Sequence, residues 1–294
     1  VPNFKGDKVD GAKFWAELNQ QDEYYVGRED KNLLHNHVIP GLKGNGCRAL
    51  NFIDIAPGDV RALTEKSIPL LQRIEAANYH AIDLVDHFAR NAAKSVNLLT
   101  NLNTSFEVKD VFEKEMLPFK NRSFIFMGGC TISNLPVSSQ TKSVNLTLSS
   151  VLKYIRRPVE QGSYFLMSFD ANQDLQVLDA AYGTESNAYM AESIMWQITR
   201  DTSFEYDASA FKYVGRWVPD EHRYIQAVRA TRDVVVKKEG NNYCTISKGQ
   251  ILNLANSYKF PPDMMIRAGE NAGWKTKKLW TETGRVHYIL FEAI

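Results

Sequence analysis

The amino-acid sequence predicts an α/β fold: a mostly parallel sheet with helices on both faces, joined to a smaller α+β lobe. Three observations predict it. Up to residue 170, short apolar runs alternate with stretches of helical periodicity, the pattern of a doubly covered parallel sheet. Several of those runs end at or near an acidic residue or a glycine pair, where ligands sit in such sheets. After Asp170 the pattern changes to one long helical stretch and then a series of strands.

The elements follow in order. Ala49 to Ile55 reads as a buried strand between the Gly44-Asn45-Gly46 turn and Pro57-Gly58. A helix is expected from Val60 to Ala77. Tyr79 to Leu84 is the second strand, and Phe88, Ala92, Val96 and Leu99 mark the next helix. Phe106 to Val108 is a weaker third strand. Phe124 to Met127 is the fourth, stopped by Gly128-Gly129. Ser143 to Ile155 reads as a helix and Tyr164 to Asp170 as the fifth strand. Asp174 to Arg200 looks helical. Strands are expected at Tyr224–Ala230, Val234–Val236, Tyr243–Ile246, Trp274–Trp280 and Val286–Phe291. They suit a second lobe or an extension of the sheet's edge.

Composition narrows the function classes. The chain has 294 residues, with 35 Lys+Arg against 34 Asp+Glu and an apolar fraction of 44%. The missing basic excess argues against general nucleic-acid binding. No apolar run reaches about 18 residues, so no membrane-spanning helix is expected. The polar start Val1-Pro2-Asn3-Phe4-Lys5 does not resemble a signal peptide, and a cytoplasmic protein is expected. Cys47, Cys130 and Cys244 are scattered and odd in number, as for free thiols in a reducing compartment. His35 and His37 are two apart and diverge on a helix, so no metal site is expected. The sequons at Asn103, Asn121 and Asn145 are chance matches in such a protein.

Three loops carry candidate chemistry. Asp54-Ile55-Ala56-Pro57-Gly58-Asp59 follows the first strand, and its glycine lets a ligand approach the backbone. It lacks Gly-x-Gly-x-x-Gly, which argues against an NAD-dependent oxidoreductase. The loop suits a ligand without a pyrophosphate, S-adenosylmethionine (SAM) among them, or an ordinary strand-to-helix turn. Asp83 ends the second strand, where a carboxylate accepts hydrogen bonds from a ribose or caps a helix. Asp110 lies just past the third strand. Met127 to Asn134 follows the fourth; its small residues leave space, and Asn134 offers an amide that donates and accepts. Cys130 has no histidine nearby in sequence and reads as a buried small side chain rather than a nucleophile. Tyr24-Tyr25 and Phe14-Trp15 are aromatic pairs, read on their own as core.

Together these segments resemble the histidine Nα-methyltransferases of ergothioneine biosynthesis, from about Phe14 to Ile294. Glu23 to Glu29 resembles the family's Glu-Tyr-Tyr-Pro-Thr-Arg-Arg segment, and Asp54 to Asp59 falls on its Glu-Leu-Gly-Ser-Gly-Thr loop. Ile82-Asp83 matches its Phe-Asp, and Asp110-Val111 its Asp-Phe. Phe126 to Leu135 resembles its Phe-Leu-Gly-Ser-Thr-Ile-Gly-Asn-Leu loop with one extra residue. Asp207 to Phe211, Arg216-Trp217 and Ser257 to Phe260 match its Asp-x-x-x-Phe, Arg-Trp and Ser-x-Lys-Phe. Each motif is short, and their shared order makes the set specific.

The resemblance implies a Rossmann-like SAM methyltransferase domain over 30–170 and a substrate-binding domain built from 1–29 and 171–294. It implies SAM as cofactor, held by Ala56, Pro57, Gly58, Lys66, Asp83, Asp110, Val111, Gly128 and Gly129, with S-adenosylhomocysteine as product. It implies a small amino-acid-like substrate held by Trp15, Tyr24, Asn134 and Tyr182, with Gln226, Ala255 and Ser257 in the same pocket. Tyr24 and Asn134 are the expected catalytic residues, orienting a neutral amine. No nucleic-acid or membrane partner and no more than weak self-association are expected, in a role in secondary metabolism.

The departures bear on the substrate. The family's acidic reader of the imidazole falls on Ala255, its pocket Met on Gln226 and a Tyr near the cofactor on about Asp7. An Asn falls on Ala191, and a Gly on Ser133. Losing a carboxylate that binds a ring N–H removes a sharp selectivity element. The expected acceptor is therefore the amino nitrogen of an amino acid or amino-acid-derived small molecule other than histidine, with a tryptophan-like or a polar side chain. Methylation of a side-chain N, O or S, and a non-catalytic SAM-fold binding protein, remain as alternatives.

Overall fold

A computed structural model describes residues 18, 21–42, 51–112, 121–135 and 144–294. Among them the chain forms two compact units. The larger comprises Arg28–Asn172 and Lys259–Ile294, the smaller Val1–Gly27 and Gln173–Tyr258.

The larger unit is built on a sheet of seven strands among the described residues, ordered β12-β13-β5-β4-β1-β2-β3. Strands β1 (Asn51–Ile55), β2 (Asn78–Asp83), β3 (Asn103–Val108), β4 (Ser123–Met127) and β5 (Tyr164–Asp170) run parallel. The helices connecting them include α2 (Ile68–Ile74), α3 (Asp86–Thr100) and α4 (Val144–Arg156). Strands β4 and β5 are buried along their whole length. Their continuous apolar runs are the signature of strands covered on both faces. Phe52, Phe124 and Tyr79 stack across neighbouring strands, with ring centroids 5.8 and 6.0 Å apart.

Strands β12 (Trp274–Thr281) and β13 (Val286–Ala293) form a hairpin, and β13 pairs antiparallel with β5. The sequence assigned 259–294 to the smaller lobe, or left their strands as an extension of the sheet's edge. Here these residues complete the large sheet, with helix α7 (Pro262–Asn271) packed against α4. Trp274 is fully buried against Phe165 and Phe291, and its indole N–H donates to the Leu152 carbonyl at 3.0 Å. That packing draws the hairpin to the sheet.

Two helical stretches are interrupted by a wider turn. Helix α1 (Tyr25–Leu33) continues through a π-turn at Leu34–Val38, and the helix expected over 60–77 is Val60–Ala62, a π-turn at Leu63–Ser67, then α2. Each π-turn stands just before a proline, Pro40 or Pro69. Proline has no N–H for the carbonyl four residues back and clashes with it. The helix widens, so Ile39 N–H donates to Leu34 O and Ile68 N–H to Leu63 O. The carbonyl that Pro69 strands is that of Glu65, and the His35 ring nitrogen Nε2 meets it at 2.6 Å.

In the smaller unit the expected long helix is two, α5 (Leu175–Tyr182) and α6 (Glu185–Asp201), broken at Gly183. Asp174 caps α5 by accepting from Gln176 N–H, and Thr184 caps α6 by accepting from Asn187 N–H. Two three-stranded sheets follow, one of β6 (Phe204–Glu205), β9 (Val234–Lys238) and β10 (Asn241–Ile246), the other of β7 (Phe211–Val218), β8 (Arg223–Ala230) and β11 (Ile251–Tyr258). Helix α6 packs its Ala191 and Met195 with Phe211, Val228 and Val234. Ala191, which departs from the family pattern, is thus a core residue.

Candidate active site

At the C-terminal edge of the parallel strands the larger unit gathers most of its expected site residues. Asp54, the last residue but one of β1, is buried. Tyr79 O–H donates to it at 2.7 Å, and Ser67 also bonds to it. Burial pushes the Asp54 carboxyl up to about 6, against the pull of these two bonds and of Lys66; nearby Asp83 adds to the rise. The loop after β1 turns at Ala56 and Gly58, which have φ of 55° and 73°. Ala56 N–H donates to Ile82 O at 2.7 Å, and Asp59 caps the following helix through Ala62 N–H at 2.7 Å. Pro57 sits between the two left-handed residues.

Asp83 ends β2 and accepts from Val85 N–H at 2.9 Å, with Leu84 and Gly58 N–H also bonding to it. Its carboxylate therefore ties the first loop to the second. Burial raises its pKa, and the three N–H donors oppose the rise. Leu84 and Val85 stand exposed beside it. Past β3, Asp110 accepts from Phe112 N–H at 2.8 Å, which closes a short turn around Val111.

The loop after β4 is constrained at three consecutive residues. A Cβ on Gly128 would lie 2.7 Å from the Phe126 ring, and one on Gly129, where φ is 65°, would lie 3.2 Å from Lys66 Nζ. Cys130 has φ of 54°, and its N–H donates to Ser168 Oγ at 2.9 Å. Burial holds the Cys130 thiol far above its usual range, so it is no nucleophile. Asn134 closes the 3-10 turn Thr131–Asn134 with its side chain exposed. Lys66 bonds to Asp30 at 3.1 Å, and Asp30 is a residue that the sequence did not single out. A second buried pair, Lys259 with Asp170 at 2.6 Å, fastens the end of β5 to the start of the C-terminal segment.

These residues fit a nucleoside carrying an amino-acid tail. Asp83 at the end of β2 and Asp110 two residues past β3 place carboxylates at adjacent strand ends, and a carboxylate can accept from hydroxyl or amine donors such as a ribose diol or an adenine amine. Exposed aliphatic side chains flank the first of them, a glycine cradle lies two strands away, and a lysine ammonium borders that cradle.

The smaller unit gathers tyrosines. Tyr24 and Tyr182 are buried and meet edge to face at 5.8 Å. The Tyr182 hydroxyl shares a 2.9 Å hydrogen bond with Ser257. Tyr224 stacks on Tyr182 at 4.8 Å and donates to Asp179, while Tyr213 donates to the Tyr182 carbonyl at 2.9 Å. Tyr224, Tyr213 and Asp179 were not singled out, because nothing local in sequence connects β7, β8 and α5. Gly215 makes room: a Cβ there would lie 2.5 Å from the Tyr224 hydroxyl oxygen. Gln226 and Ala255 are direct register partners on β8 and β11, beside an irregularity between Asn253 and Ala255. Trp15, Phe14 and Asp7 lie outside the described residues.

The family model for histidine-specific, SAM-dependent methyltransferases matches residues 7–293. The chain belongs to that family. Histidine N-alpha-methyltransferase of Mycolicibacterium smegmatis is 21% identical over 281 residues, which cover 92% of this chain and 83% of the relative. A SAM-dependent methyltransferase from Clostridium acetobutylicum superposes with a TM-score of 0.55, at 9% identity, over 97% of this chain and 99% of that one. The fold is the Rossmann-like one of SAM-dependent methyltransferases. The protein is a SAM-dependent methyltransferase, and a small-molecule substrate fits that activity. Among the described residues no group of His, Cys, Asp and Glu could hold a metal, and no helix is long and apolar enough to cross a membrane.

Proposed function

We propose that this methyltransferase acts on the amino nitrogen of an amino acid or amino-acid derivative other than histidine. The observation that carries this reading is the pairing of Ala255 with Gln226 in register. At the position of Ala255 the family carries an acidic residue that reads the imidazole. A methyl group there neither accepts from a ring N–H nor fills the space of a carboxylate. A buried hydrogen-bonding partner discriminates far more sharply than shape. The Ala255–Gln226 pair therefore favours a bulkier ring, tryptophan-like, or a polar side chain that the glutamine amide can meet.

The larger unit is proposed to hold SAM, and the smaller unit the acceptor. Asp83 would hold the ribose hydroxyls, Asp110 and Val111 the adenine, and Gly58, Gly128 and Gly129 the tail, with Lys66 nearby. Bound SAM supplies an electrophilic methyl group on its sulfonium. The acceptor amine has to be neutral, because an ammonium has no lone pair. Tyr24 orients that amine and relays its proton, the hydroxyl accepting on oxygen as it passes its own proton to water; Asn134 offers the amine an amide acceptor. Tyr182 and Ser257 hold the acceptor's polar backbone groups. Orientation alone is a large part of such catalysis.

The test is a mass-spectrometric screen of the purified protein with SAM against the twenty amino acids and common derivatives, with S-adenosylhomocysteine as readout. An N-methylated product from a non-histidine amino acid is expected. Histidine as best substrate would sink the specificity argument, and fragmentation that puts the methyl on a side chain would sink the amino-nitrogen assignment.

A further inference from the structure

We propose that Asp30 is a positioning residue for the cofactor: its carboxylate fixes the Lys66 ammonium against the Gly128-Gly129 turn, where that cation receives the carboxylate of SAM's amino-acid end. The inference rests on the reading that SAM occupies this edge of the sheet.

Asp30 lies just beyond the tyrosine segment and is fully buried. Gly129 N–H donates to both of its oxygens at 3.3 Å, and Lys66 Nζ donates to Oδ2 at 3.1 Å. The buried Tyr288 ring lies close by: burial first and the Asp30 charge second push its phenol far above the usual range. With its lone pairs directed at these groups and no surface exposed, Asp30 is closed to a ligand. It acts through what it holds.

Lys66 differs. Its side chain keeps 19% of its surface exposed, whereas that of Asp30 keeps none. Burial opposes its charge, but the pull of Asp30, joined by Cys130 and Asp54, outweighs burial, so the side chain stays an ammonium. An ammonium has three donors, and Asp30 takes one. The ammonium stands so close to the Gly129 Cα that a methyl group added there would crowd it at 3.2 Å. One carboxylate thus sets two features of the cradle, the turn through its N–H and the cation beside it. A buried ion pair is weak evidence for stability. A pair sealed on its acidic side and open on its basic side is suited to receiving a second anion.

The test compares two ligands by calorimetry: S-adenosylhomocysteine, and 5′-methylthioadenosine, which has the same nucleoside and sulfur without the amino-acid end. Asp30→Asn should weaken S-adenosylhomocysteine by about ten- to a hundredfold, the scale of one charge-assisted hydrogen bond, and leave 5′-methylthioadenosine unchanged. Lys66→Met should do the same. Asp30→Glu, which keeps the charge on a longer stem, should fall between wild type and Asp30→Asn. Should Asp30→Asn fail to fold, Asp30→Glu carries the comparison alone. Equal weakening of both ligands would reduce Asp30 to a structural role and overturn the proposal. So would unchanged S-adenosylhomocysteine affinity in either the Asp30→Asn or the Lys66→Met variant. Unchanged affinity of Asp83→Ala for both ligands would instead remove the cofactor-site reading beneath the inference, and the inference with it.

Discussion

Asp54→Asn should stabilise the protein at alkaline pH and lose that advantage in acid. Asp54 is buried near the end of β1, and burial raises its carboxyl from the ordinary 3.8 to about 6. At about 1.36 kcal/mol per pH unit, ionising it inside the fold costs roughly 3 kcal/mol. The folded pKa lies above the unfolded one. The group's contribution is therefore fully present below the unfolded pKa and is lost as pH rises through about 6. Asparagine keeps an acceptor for the Tyr79 hydroxyl and never ionises. His80 runs the opposite way. Burial lowers it to about 4 from 6.5, so its contribution is full above 6.5 and is lost as pH falls through about 4. Subtracting the variant's profile from that of wild type cancels His80. The assay is urea unfolding of both proteins across pH. Between pH about 4.5 and about 8 the difference should swing by about 2 kcal/mol in favour of Asp54→Asn. Parallel stability profiles would mean that Asp54 titrates normally, and that its burial and hydrogen bonds have been misread.

Three further outcomes are expected. Tyr24→Phe should lower turnover while calorimetry still shows SAM binding; wild-type turnover would remove the Tyr24 hydroxyl from the mechanism. Asp83→Ala should weaken SAM by roughly 1–3 kcal/mol, the scale of a hydrogen bond to a charged group left unmade, and unchanged affinity would refute the ribose assignment. Ala255→Glu should shift the kcat/KM ratio of histidine to the best non-histidine substrate towards histidine by about tenfold or more; an unmoved ratio would mean that the side chain at position 255 does not read the acceptor.

The sequence by itself determined the parallel half of the fold. Apolar runs such as Phe124–Met127 and Tyr164–Asp170 are so continuous that only a sheet covered on both faces accommodates them. The acid and glycine signals at Asp83, Gly58 and Gly128-Gly129 were legible because chain geometry forces them to the strand ends. The order of short motifs identified the family, since each motif is local. Only the tertiary structure decided the rest. Residues 274–293 read equally well as a lobe or as a sheet edge. Trp274, packed on Phe165 and bonded to Leu152, settles them in the large sheet. The π-turns before Pro40 and Pro69 look like ordinary helix in sequence, because a proline does not announce whether a helix kinks, stops or widens. The tyrosine cluster joins Tyr24, Tyr182, Tyr213 and Tyr224 through ring contacts and hydrogen bonds between segments far apart in the chain. Nothing in the sequence singled out Asp30, and its proposed role follows from meeting Lys66 and Gly129, residues 36 and 99 positions away. Periodicity records which face of an element is buried. It does not record which distant side chain arrives there, because that is set by packing.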